Sequence, residues 1–309
     1  MTGGDVTEAP ALADLGTLDG DVLVFGGPVS NRQATEAVFA EAEAHGIPPA
    51  RIVCTGDVAA YCAEPRATAE LVRNSGIHVV RGNCEESLGQ DAEDCGCNFG
   101  SGSACDALAD AWYRHARAHL TGELRAWMAT RPTAIRLRLA GFELLAVHGA
   151  PSQINRWIFP ATSVRDKAFE IALAGADGVL AGHSGIPFVE TVQGHLWCNA
   201  GSAGMPANDG TPRGWYAVLH PDGDRVVVTL HAFHYDHATA AARMREARLP
   251  EGYAAALETG HWPSEDILPR DARRAAGTPI AAPQHLVWTA GSRETSAHAG
   301  THAACGCCA

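Results

Sequence analysis

The sequence predicts an α/β fold, and three observations carry that expectation. Residues 21–25, 51–55 and 78–81 are short apolar runs, and each leads into a loop containing glycine. Between them, residues 31–45 and 65–75 have the periodicity of amphipathic helices, the second ending at Gly76. Strand, helix, strand, helix, strand at this spacing marks parallel βαβ units, whose strands deliver loop residues to the carboxyl edge where ligands bind. Asp57 and Asn83 fall on that edge.

The elements that follow extend the same frame. Residues 85–131 contain the irregular stretch DAEDCGCNFGSGSACD, followed by a helical segment bearing Trp112, Tyr113 and Trp127, read as a cap beside the site at about 86–131. Short strands are expected at 142–147, 178–181, 196–199, 215–219 and 226–231, enough for a second sheet. Helices follow at about 238–260. Beyond 268 the chain is rich in Ala, Gly, Pro, Thr and His without periodicity, which reads as a flexible tail over 269–309. The expected division is an N-terminal extension over 1–20, one domain over 21–268 and that tail.

Composition narrows the function. The chain has 309 residues, 46% hydrophobic and 19% charged, as a folded globular protein does. Its net charge of −12 leaves no cationic field to gather phosphate backbones, so a small substrate is expected and nucleic acid is not. No window approaches the roughly eighteen apolar residues of a spanning helix. The acidic start MTGGDVTEAP lacks the basic and apolar segments of a signal peptide. The expectation is a cytoplasmic protein that does not enter membranes. Ten cysteines in such a chain point to metal, redox or packing roles more than to a disulfide framework.

The chemistry sits where strands give way to loops, at Gly56-Asp57, Gly82-Asn83, His148-Gly149 and Gly182-His183. Asp, Asn and two His offer oxygen and imidazole donors suited to Mn, Fe or Zn. Together the stretches GDVAAYCAEP, VVRGNCEE, LLAVHGAP, LAGHSGIPF and CNAGSAGMPANDGTP resemble the calcineurin-like metallophosphoesterases, in particular their small bacterial, diadenosine-tetraphosphatase-like branch. The likeness implies a four-layer α/β/β/α sandwich of two mixed sheets flanked by helices. It also implies that Asp57, Asn83, His148 and His183 hold one divalent ion.

The resemblance is incomplete on one side. Where that family has its D-x-H motif this chain has Gly27 and Val29, and where it has the last histidine of G-H-x-H this chain has Gly185. All three substitutions fall on the ligands of one metal position, so a single remodelled site is expected. Cys84 stands in place of the histidine in G-N-H-D and is followed by Glu85, making both candidates for proton transfer. Cys62, Cys84, Cys95 and Cys97 are candidate additional thiol ligands or a redox pair, or residues that simply pack. Cys305, Cys307 and Cys308, with His298 and His302, form a candidate soft-metal arm.

Other residues are weighed at the rim. Arg156 is a candidate for binding substrate charge, with Trp157 and the Asn208-Asp209 pair as pocket lining. Gly26-Gly27 offers backbone amides to a phosphate. The expected function is a metal-dependent hydrolase acting on a phosphoester or phosphoanhydride, with catalytic residues Asp57, Cys84, Glu85 and Arg156. The alternative is a non-hydrolytic metal-binding or redox protein on the same scaffold.

Overall fold

A computed structural model describes residues 12–97, 99 and 102–289. The chain runs β1 (Leu12–Thr17), β2 (Val22–Phe25), α1 (Arg32–Ala44), β3 (Ile52–Cys54), α2 (Pro65–Asn74), β4 (His78–Val79) and α3 (Asn83–Gly89). Then come α4 (Ala104–His119), α5 (Gly122–Ala129), β5 (Ala134–Leu139), β6 (Phe142–Val147), α6 (Val164–Ala174), β7 (Gly178–Ala181), β8 (Phe188–Val192) and β9 (His195–Asn199). The described chain closes with β10 (Gly214–Asp222), β11 (Arg225–Phe233), α7 (His237–Glu246), α8 (Glu251–Thr259), α9 (Arg270–Ala275) and β12 (Gln284–Thr289).

Two six-stranded mixed sheets result, in the orders β1-β5-β6-β7-β9-β8 and β12-β11-β10-β2-β3-β4. The predicted βαβ units are present, with β2 parallel to β3 and β3 parallel to β4. In the other sheet β6 runs parallel to β7. Period-two alternation explains the layering. Val22 and Val24 of β2 join Leu137, Leu144 and Leu180 in the core between the sheets. Leu23 and Phe25 of the same strand face the other way, into a core shared with α1 and α4 through Val38 and Trp112. The outer face of the first sheet is covered by α6, where Ile171 and Ala174 meet Val147 and Val179. The four-layer α/β/β/α sandwich is therefore the fold, and both sheets are mixed as expected.

Two expected boundaries change, at the extension and at the tail. The extension over 1–20 contains β1, which pairs parallel to β5. The segment expected as a cap carries its helical stretch into the helical layer, where Trp112, Tyr113, Leu124 and Met128 are buried, while Phe99 and Cys105 of its irregular part border the same pocket as Asp57, His148 and His183. The tail is ordered through Thr289: β12 pairs with β11 over six residues and buries Trp288 against Phe142 at 4.1 Å between ring centroids. One aromatic anchor on an alternating strand supplies the contact that composition hid. Cys305, Cys307, Cys308, His298 and His302 lie outside the described residues. No helix among the described residues is long and apolar enough to cross a membrane.

Candidate metal centre and substrate pocket

The four loop residues come from both sheets. Asp57 follows β3, Asn83 opens α3 after β4, His148 follows β6 and His183 follows β7. The backbone is bent to bring them in: Asp57 has φ +58° and His183 φ +52°. That left-handed region costs an L-residue about 1 kcal/mol and concentrates at functional loops. Gly82 permits the closest approach, since a Cβ there would lie 2.6 Å from Asp57 Oδ1 and 2.8 Å from the Asp57 nitrogen.

His148 is the centre of the cluster. Its Nδ1 lies 2.7 Å from the Thr55 carbonyl oxygen, an acceptor only, so Nδ1 carries a proton and Nε2 faces the site. Nε2 is 3.2 Å from Asp57 Oδ2 and 3.0 Å from His183 Nδ1. The donor atoms of Asp57, His148 and His183 all lie within 4.8 Å of one another. Three electron-pair donors this close favour a cation among them. Asn83, next to Cys84 whose N–H reaches Asp57, is the fourth candidate. Its amide nitrogen donates to the Cys95 carbonyl at 2.9 Å, which fixes the amide orientation and leaves Oδ1 buried without a partner. An unsatisfied buried carbonyl calls for a ligand.

Electrostatics agree. Burial pushes the Asp57 carboxyl up, but the His148 and His183 imidazoles outweigh it and hold the group lowered to about 2. Burial pulls His183 down, reinforced by His148, to about 3, so its imidazole is neutral and able to ligate. Burial also opposes charge on His148, yet the Asp57 carboxylate raises it above its ordinary value, so an ion taken up at Nε2 would displace a proton there.

Several expected roles are corrected. Glu85 is fully buried. One of its oxygens accepts from the Gly82 and Asp57 N–H groups at 2.8 Å each, and the other from Val58 N–H at 2.7 Å. Burial and the Asp57 charge raise its pKa, while the bonds from the Val58 and Asp57 N–H groups lower it. With both oxygens held by backbone, Glu85 positions the Asp57 loop and is not aimed at a substrate. Cys84 is also in the core, and burial, then Asp57 and Glu85, push its thiol well above the ordinary value, which disfavours a thiolate. What it gives the site is its N–H, donated to Asp57 Oδ1 at 3.2 Å. Cys62 packs in the helical core with its pKa raised by burial. Cys95 and Cys97 are joined by a disulfide, so they are not thiolate ligands, and Cys97 Sγ accepts from the Asn83 amide at 3.4 Å.

Arg156 does not reach the pocket. It pairs with the buried Glu170 and lies 3.8 Å from Asp166, because that carboxylate needs its charge compensated. Its neighbour Trp157 lines the pocket instead, packed on the His183 ring at 3.9 Å. Asn208 accepts from the Trp262 N–H at 2.7 Å, and Asp209 is held by Arg213 at 2.8 Å, so both are structural. Gly27 borders the pocket, but its N–H is spent on the Gly56 carbonyl at 3.1 Å and is not free for a phosphate.

The remaining wall is one that sequence reasoning missed. Tyr61, Tyr253 and Trp262 join Trp157 around the cluster, with Gly27, Val29 and Gly185 on the same surface. Tyr253 and Trp262 come from α8 and the loop after it, far along the chain from every motif. The Gly-His-Trp-Pro break after α8 was their only local signal.

The model of the calcineurin-like phosphoesterase superfamily domain matches residues 30–224, well over half of the chain. The chain belongs to the calcineurin-like phosphoesterase superfamily. An uncharacterised protein of Methanocaldococcus jannaschii is 26% identical to this phosphoesterase-family chain over 238 residues, which is 72% of this chain and 90% of the other. A metallophosphoesterase from Sphaerobacter thermophilus shares the fold with a TM-score of 0.62 at 24% identity, covering 78% of this chain and 98% of its own. A hypothetical protein from Pyrococcus horikoshii does so with a TM-score of 0.66 at 18% identity, covering 78% and 99%. Within the family frame, the side chains at Gly27, Val29 and Gly185 offer no metal donor.

Proposed function

We propose that the protein is a metal-dependent hydrolase of a small phosphoester or phosphoanhydride, working with one divalent ion held by Asp57, Asn83, His148 and His183. The observation that supports it best is the convergence of three donor atoms within 4.8 Å at the border of a pocket. When bound, a divalent ion supplies Lewis acidity to a phosphoryl oxygen and lowers the pKa of water.

The protein's own groups supply the rest. Thr55 O fixes the His148 tautomer, so that Nε2 presents its lone pair inward. Trp157 holds the His183 ring, and Glu85 braces the Asp57 turn through three backbone bonds. Among the described residues lining the pocket, Tyr61, Tyr253, Ser184, Ser202 and Ser264 carry the hydroxyls that could orient a phosphoryl group or move a proton. Mixed oxygen and imidazole donors suit Mn, Fe or Zn, and we take the protein to act in the cytoplasm.

The test is elemental analysis of protein purified without added metal or chelator, alongside turnover of a generic phosphoester. One ion per chain is expected, with both ion and turnover lost in His148→Ala and retained in Cys62→Ala. Full metal content in His148→Ala, or turnover that survives its loss, would overturn the reading.

A further inference from the structure

The pocket over the donor cluster is unlike a surface built to hold several negative charges. Among the described residues that line it there is no lysine or arginine. Arg156 and Arg213, nearby in sequence, are committed elsewhere, to Glu170 and Asp209. A phosphate dianion or polyphosphate would meet the Asp57 carboxylate with only the ion to balance it, whereas a single negative charge would not exceed that balance.

What lines the pocket instead is aromatic. Trp157 lies against His183 and stacks on Phe99 with ring centroids 6.2 Å apart and planes 25° apart. Tyr61 and Tyr253 lie 5.0 Å apart. Trp262 is pinned at both ends, its indole N–H donating to the Pro206 carbonyl at 2.6 Å and its backbone N–H to Asn208. Its ring comes within 3.5 Å of where a Cβ on Gly185 would sit. Flat rings already fixed in place lose little entropy when another ring stacks on them.

We propose that this pocket takes a phosphodiester carrying one negative charge and a flat aromatic group, with Trp157 and Trp262 selecting the ring. The inference rests on the phosphoesterase reading of the same site. The absence of cationic side chains discriminates against doubly charged monoesters, and the indoles discriminate against aliphatic diesters.

Binding separates these two contributions. The full chain loaded with Mn(II) is titrated with diphenyl phosphate, dimethyl phosphate and phenyl phosphate, read by tryptophan fluorescence and calorimetry. Diphenyl phosphate is expected to bind at least about tenfold more tightly than either of the others. Trp157→Leu and Trp262→Leu should each bring the ratio of diphenyl to dimethyl affinity toward about one. Dimethyl phosphate binding within about twofold of diphenyl phosphate, or phenyl phosphate binding best, would overturn the proposal without recourse to any variant. Turnover of bis(4-nitrophenyl) phosphate is followed in parallel. Aryl-selective binding without turnover would uphold the specificity and remove the hydrolase reading; turnover without aryl preference would do the reverse.

Discussion

At the residue scale the least expected actor is Glu85. Its two oxygens collect three N–H groups from Gly82, Asp57 and Val58, so one buried side chain holds two loops in register. Glu85→Gln replaces an acceptor oxygen with an NH2 that must face an N–H. We expect a loss of about 1–3 kcal/mol in stability, measured by urea denaturation. Because the braced turn carries Asp57, ion affinity should also fall by about 10–100-fold, measured by competition with a chelator. A variant with wild-type affinity would show that the brace is dispensable. Asp57, Asn83, His148 and His183 could be found in the sequence because each ends a short apolar run beside a glycine. The role of Glu85 could not, since it depends on backbone groups 27 and 28 residues away. Arg156 was misread for a similar reason, because Glu170, which claims it, lies on a helix the local sequence does not place beside it.

At the scale of elements, the β2–α1–β3–α2–β4 unit could be read to within a residue or two, because buried parallel strands leave continuous apolar runs. The edge strands β1 and β12 could not. They are half exposed and embedded in Ala-, Gly- and Pro-rich sequence, so only alternation marks them. Trp288 is nevertheless buried to 2% exposure and stacks on Phe142. Trp288→Ala should cost about 3–5 kcal/mol, seen as a lower denaturation midpoint, with the ion content of the folded fraction unchanged. A loss below about 1 kcal/mol would mean that β12 contributes little to the sandwich.

On the scale of the whole molecule, Asp57 and Asn83 descend from one sheet and His148 and His183 from the other. The Thr55 to His148 hydrogen bond already crosses that seam at 2.7 Å. The ion proposed for these four residues would bind only the folded state, so it should stabilise the molecule by about 4 kcal/mol at a free concentration one thousand times its Kd. Thermal denaturation with and without a chelator measures this, and equal midpoints would count against the four-residue site. The sandwich and its seam follow from the motif order, whereas the aromatic wall does not, because Tyr253 and Trp262 reach the pocket through the packing of α8.

Because the four residues divide between two sheets, an ion bound as proposed would act as a rivet between two plates. Without it, the seam would rest on direct contacts such as those of Thr55 and Asp57 with His148. With it, the four rims would be expected to open together. Amide exchange at residues 55–58, 82–85, 148–150 and 182–185 should therefore slow as one group on metal loading, while the outer edges β1 and β12 exchange as before.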